Sequence, residues 1–143
     1  MTYLPDVNVW IALAVDVHVH NSVASRWVEQ LRREKLAFCR ITEMGLLRLL
    51  TNRHVMDGSP LSASEAWTTR DRILGDPRMV VVNERDDFEE HWRQTAHAGK
   101  VGPNFWTDAY LISLCGSAGC TLVTFDRALA RQTRCDVLLL KGD

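Results

Sequence analysis

The chain has 143 residues, 46% of them hydrophobic and 24% charged, a make-up that fits one folded domain and excludes a disordered segment. Seventeen basic side chains against 18 acidic leave a formal net charge of −1, which excludes an overall basic nucleic-acid binder but not a local patch. No apolar run approaches the roughly 18 residues that span a bilayer, MTYLPDVNVWIALAV lacks a basic leader region, and Cys39, Cys115, Cys120 and Cys135 form no CxxC pair; the expectation is a cytoplasmic protein with reduced, buried thiols.

In chain order, residues 2–5 read as a short first strand running into Asp6, followed by an apolar stretch over Val9–Ala14. Asn21–Glu34 carries Val23, Ala24, Trp27, Val28 and Leu31 at helical spacing, with Arg and Glu on the other face. Leu36–Cys39 reads as a second strand, after which Thr42 caps a helix to about Asn52 with Glu43 in its first turn. Ser62 opens a helix with Glu65 as its capping-box partner, running to about Leu74 and stopped by Gly75-Asp76-Pro77. Met79–Val82 is a strongly β-branched strand, and Asp86–Ala98 a polar helix ended by Gly99. Asn104 or Phe105 begins a markedly apolar helix to about Ala118, closed by Gly119; Thr121–Phe125 and Val137–Leu140 are further strands. No linker or repeat divides residues 1–143, so one domain is expected. Strands alternating with helices predict an α/β fold with a mostly parallel sheet covered on both faces.

In such sheets ligands bind beyond the carboxyl ends of the strands. Asp6, Glu43 and Asp126 each fall at or just after a strand's C-terminal end, so parallel strands would gather them at one edge. Asp108 sits in FWTDAYLISLC, a helix apolar almost all round, and is expected to point inward. A buried Asp needs a partner or a metal, because desolvating a lone carboxylate is costly. Each acid also has an ordinary reading. Asp6 and Asp126 can cap helices, and Glu43 and Asp108 can complement a helix dipole. The combination is harder to explain in that way. Crowded carboxylates repel unless a cation neutralises them, and an all-oxygen set suits Mg²⁺ or Mn²⁺ rather than zinc. A site of that kind can activate water against a phosphodiester.

PDVNVWIAL, ITEMGLLRLLTN, NFWTDAYLISLC and TLVTFDRAL, in this order and spacing, resemble the four acidic motifs of PIN-domain ribonucleases, and more closely those of VapC-type toxins from toxin–antitoxin systems. The resemblance runs from Tyr3 to about Leu140. It implies an α/β/α sandwich with Mg²⁺ or Mn²⁺ at the acidic cluster, an RNA substrate, a cognate antitoxin and a homodimer. Carried over by position, Asp6 and Asp108 become direct metal ligands. Glu43 and Asp126 bind a second metal or hold waters around the first. Asn8 and Thr124 match positions that orient ligands or water, although a turn Asn and a strand Thr are equally ordinary.

Arg48 and Arg53 follow Glu43, and Arg127 and Arg131 follow Asp126, so these side chains are candidates to bind substrate phosphates or simply to solvate helix faces. His18 and His20 could bind zinc with Asp16, but a local structural or substrate-facing role is the better expectation. Trp27, Trp67 and Trp106 read as core or dimer-interface anchors. His54, His91 and His97 have no nucleophile at a strand-to-helix elbow, and no phosphate-binding glycine motif occurs. Two rival functions remain. One is an RNA- or protein-binding PIN module without nuclease activity. The other is an aspartyl-phosphate phosphatase using Asp6, disfavoured because Asn8 stands where that chemistry needs a second Asp.

Overall fold

The structure, a computed structural model, describes residues 1–132 and 134–142. Five strands form one sheet in the order β3-β2-β1-β4-β5, and every neighbouring pair is parallel. These are β1 (Thr2–Pro5), β2 (Lys35–Phe38), β3 (Met79–Val81), β4 (Thr121–Thr124) and β5 (Val137–Leu139). The expected "mostly parallel" sheet is thus parallel throughout. Alternate strand residues point to opposite faces. Leu36, Phe38 and Val123 enter one core with Trp10, Ile11, Trp27, Leu46 and Leu50. Leu4, Ala37 and Leu122 enter the other with Phe88, Leu111, Leu114 and Leu129.

The first core is covered by α1 (Val7–Ala14), α2 (Asn21–Gln30), α3 (Arg40–Leu50) and α4 (Ala63–Leu74). The second is covered by α5 (Phe88–Thr95), α6 (Phe105–Ala118) and α7 (Arg127–Ala130). Local chemistry sets several of their ends. Asn21 Nδ2 donates to the Ala12 carbonyl at 2.8 Å and fastens the end of α1 to the start of α2. Ser62 and Glu65 cap α4 reciprocally, at 3.0 and 3.1 Å. Gly119 ends α6 in the left-handed conformation at φ 73°, where a side chain is disfavoured. Gly45 allows α3 to close on α1, since a Cβ there would meet Val7 Cγ2 at 2.6 Å.

Three expectations change. Thr42 does not cap α3; Cys39 occupies the cap position, and the Thr42 hydroxyl accepts from its backbone N–H at 3.1 Å from inside the first turn. The second helix stops at Gln30 rather than Glu34, because the Glu34 carboxylate accepts the amides of Arg32 and Arg33 and turns the chain. The polar helix before Gly99 covers only Phe88–Thr95. Of the three tryptophans expected as core or interface anchors, Trp27 lies in the core, and Trp67 and Trp106 are about half exposed, at 50% and 55%. Cys39, Cys115, Cys120 and Cys135 are free thiols, the first three buried. Among the described residues no helix is long and apolar enough to cross a membrane.

Candidate active site

Position β1 and β4 side by side and their ends converge. Pro5 lies in register with Val123, and the Asp6 N–H continues the ladder onto the Val123 carbonyl at 2.9 Å. One residue beyond β1, and two beyond β4, the chain enters a helix. Asp6 is the N-cap of α1 and Asp126 the N-cap of α7, so two acids are presented at the same sheet edge by the same local device. Asp108, in the first turn of α6, closes the third side. Together they line a cleft of about 380 Å³ whose walls also include Asn8, Met44, Arg48, Asn104 and Thr107.

Asp6 is buried, and both of its oxygens are held by protein donors. Oδ1 accepts the Val9 N–H at 3.0 Å, and Oδ2 accepts the Thr124 hydroxyl at 2.5 Å. Burial raises its pKa above the usual carboxylate value, and those bonds act in the opposite direction. Asp126 is exposed and spends Oδ1 on the amides of Ala128 and Leu129, at 2.8 and 3.3 Å. Asp108 differs from both. It is half-buried, its carboxylate has no hydrogen-bond donor among the described residues, and burial followed by the charges of Asp126 and Asp6 pushes its pKa up to about 6. The expected inward orientation therefore holds only partly: Asp108 faces the cleft rather than the core.

Glu43 lies behind this wall. It is 3% exposed and held by two arginines, with Arg70 Nε donating to Oε1 at 2.6 Å and Arg40 Nη1 to Oε2 at 2.9 Å. The structure thus brings Asp6, Asp108 and Asp126 around one cleft and places Glu43 outside its lining, in an ion pair with α4. Asn8 lines the cleft, and Thr124 sits beneath it. Arg48 reaches the rim, whereas Arg127 is exposed on α7 and takes no part in the wall. Arg40 was legible as a partner of Glu43 three positions away on one helix; Arg70, 27 residues on, carries no such signal. Asn104 and Thr107 also went unmarked, although helical spacing puts Asn104 one turn from Asp108.

His18 and His20 make local contacts. His18 Nδ1 accepts the His20 N–H at 3.1 Å, and the His20 ring stacks on Phe125 with centroids 4.5 Å apart. Among the described residues no three His, Cys, Asp or Glu side chains are drawn into a group that could hold a metal ion. The chemistry of the three cleft acids nevertheless fits a hard cation. The donors are all oxygen, two of them are fixed by backbone and hydroxyl bonds, and the third is an uncompensated charge.

Residues 3–134 match the family model described as PIN domain. Ribonuclease VapC41 of Mycobacterium tuberculosis is 39% identical over 142 residues, covering 96% of this chain and 97% of that protein. Ribonuclease VapC39 of the same organism is 36% identical over 140 residues, covering 91% and 92%. Among solved structures, VapBC2 from Rickettsia felis bound to a promoter DNA fragment superposes with a TM-score of 0.72 at 15% identity, covering 99% of this chain and 100% of that one. An all-parallel five-stranded sheet with three acids at one edge, matched along almost its whole length, places this chain in the PIN-domain family, in its VapC branch.

Proposed function

We propose that the chain is a metal-dependent endoribonuclease, the toxin of a toxin–antitoxin pair, acting in the cytoplasm. The single observation that carries the chemistry is Asp108: a half-buried carboxylate with no donor among the described residues, facing two further acids across an open cleft. A fold gains nothing from such a charge, and strained electrostatics of this kind concentrate at functional sites. The names of the curated relatives support the RNA substrate.

Asp6 and Asp108 would hold Mg²⁺ or Mn²⁺, with Asp126 acting on the surrounding waters, while Glu43, its oxygens held by Arg70 and Arg40, would act only through the packing of α3 beneath the cleft. When bound, the ion supplies a Lewis acid and an acidified water for attack on phosphorus. The chain's own part is positional. Thr124 and the α1 amides fix Asp6, while the α7 amides fix Asp126, so both present their remaining lone pairs to the cleft without reorganising. Asn8 and Asn104 line the same space with neutral amides able to orient water or a phosphate oxygen, and Arg48 at the rim offsets the charge of an approaching strand. Hydrolysis adds water across the P–O bond.

The test is cleavage of a defined single-stranded RNA by purified protein with and without Mg²⁺ or Mn²⁺. Metal-dependent cleavage lost in both Asp6→Asn and Asp108→Asn supports the reading. Full activity in a folded Asp108→Asn protein removes it. The exposed indoles of Trp67 and Trp106 are anchors of the kind that interfaces favour, which supports a homodimer as the solution form. A cognate antitoxin is proposed from the VapC resemblance and is tested by co-purification with the product of an adjacent reading frame.

A further inference from the structure

Asp108 has a second hollow on its other side. A groove of about 440 Å³ shares Asn104, Asp108 and Leu129 with the acidic cleft, so the two are continuous across that carboxylate. Its floor has a different character. Phe105, Ala109 and Ile112 recur at helical spacing along one face of α6, opposite Ala128 and Leu129 from α7. The Phe105 ring is half-buried and braced edge-on by Trp106, with centroids 5.1 Å apart and planes at 87°. Gly99, at φ 120°, makes the turn that precedes Lys100, a backbone conformation that disfavours a side chain. That loop then delivers Lys100 to the groove's edge.

The charge changes sign along this path. The cleft carries three carboxylates. The groove shares one of them and adds a lysine. Further on, a shallow depression is lined by Arg93, Gln94, His97 and Arg134, with no carboxylate among its described lining residues. Arg93 is also paired with Glu89 at 3.0 Å, which leaves the depression less basic than its residue types alone suggest. A polyanion that must set one phosphate among three acids gains from cations beside it, and with a net charge of −1 only locally placed cations can supply that.

We propose that this groove is a nucleotide subsite: it holds the RNA residue next to the scissile phosphate, with the base against Phe105 and the adjoining phosphate on Lys100. The proposal rests on the ribonuclease reading above and deepens it. Apolar walls of base-binding size, one aromatic ring and one cation suit an unstacked base better than a duplex, because single-stranded RNA is recognised by stacking its splayed bases on aromatic side chains. Continuity with the cleft sets which residue of the strand is held. A peptide segment is the other occupant such a groove admits, and the test separates the two.

Two variants change no carboxylate: Lys100→Gln removes the cation, and Ala128→Trp fills the groove from an exposed position on α7, altering the side chain but keeping the backbone amide that holds Asp126. Binding of a fluorescein-labelled single-stranded RNA hexanucleotide is followed by anisotropy in EDTA, where no cleavage occurs. Lys100→Gln should bind several-fold more weakly, with a salt slope shallower by about 0.7, the loss of one single-strand phosphate contact. Ala128→Trp should bind at least about tenfold more weakly, a loss in the range of one base-stacking contact, in a protein whose melting shows it folded. With Mg²⁺, the ratio of RNA cleavage to bis(p-nitrophenyl) phosphate cleavage should fall in both variants. Wild-type RNA affinity and wild-type cleavage ratio in both overturn the subsite. So does a pair of variants that keep RNA binding and lose only a co-expressed antitoxin, which would make the groove a peptide dock. A wild-type protein that cleaves neither substrate overturns the ribonuclease reading instead, and the EDTA measurement then judges the groove alone.

Discussion

Thr124 and Asp6 lie 118 residues apart and meet through one hydrogen bond, the threonine hydroxyl donating to Asp6 Oδ2. The same hydroxyl accepts the Asp126 N–H at 3.0 Å. One fully buried oxygen atom therefore fixes the distance between two of the three cleft acids, and it does so from a β4 position adjacent to β1.

Replacing Thr124 by Val keeps the shape of the side chain and removes both bonds, leaving a buried carboxylate oxygen and an amide short of partners. The expected cost is about 1–3 kcal/mol in urea unfolding, together with weaker Mg²⁺ binding. Thr124→Ser should restore most of both. Equal losses of metal affinity in Val and Ser variants would show that the hydroxyl does not act on the site.

Asp108 predicts how stability varies with pH. Its folded pKa of about 6 lies above the ordinary 3.8, and that of Asp6 is raised too. Each takes up a proton more readily folded than unfolded, so this part of the stability is full below about pH 4 and is lost as pH rises through about 6. Asp108→Asn should flatten that part of the profile and raise the melting temperature of the metal-free protein near neutral pH. It should also abolish the stabilisation by Mg²⁺, which at a hundredfold excess over Kd is about 2.7 kcal/mol for a single site. Thermal melts in EDTA and in Mg²⁺ across that pH range provide the check.

The Glu43–Arg70 pair predicts coupling between α3 and α4. Arg70→Met leaves a buried carboxylate with only the largely exposed Arg40 for company. Breaking a fully buried pair costs roughly 3–5 kcal/mol; with Arg70 a quarter exposed and Arg40 retained, about 2–3 kcal/mol is expected. Glu43→Gln combined with Arg70→Met should cost less than the sum of the single changes. Additive losses in a double-mutant cycle would show that the two side chains do not act together.

Gly45→Ala inverts the usual preference. An exposed helical Gly→Ala change is stabilising by about 1 kcal/mol, but here the new methyl meets Val7 at 2.6 Å. Val7 is the first residue of α1, directly after Asp6. A loss of about 1–3 kcal/mol is expected from the forced separation of the helices, with reduced nuclease activity as Asp6 shifts. Gly45→Ala with Val7→Ala should recover both.

Legibility in the sequence followed the range of the interaction. Elements set by neighbours were readable: Ser62 with Glu65 opened α4 where expected, Gly119 closed α6, and β-branched or apolar runs marked all five strands. The cleft acids were readable because a parallel sheet sends strand ends to one edge, so Asp6 and Asp126 could be placed without knowing the strand order. The ion pair at Glu43 was not readable. Arg70 and Glu43 are joined only by the packing of α4 on α3, and no spacing rule spans the loop between those helices. Whether Trp67 and Trp106 are core or surface anchors stayed open in the sequence for a related reason, since an aromatic at an apolar helical position reveals its face but not whether another element covers it.

The strand order has a consequence for how such a chain is made. β1 is translated before the other strands described, yet its neighbour on the cleft side, β4, is among the last of them. Until then Asp6 has neither the Val123 carbonyl nor the Thr124 hydroxyl to hold it, and Asp126 does not exist. A nascent chain stalled before β4, or a product truncated there, carries no cleft. For a protein that cuts RNA and is itself assembled on an RNA machine, latency during synthesis is written into the topology.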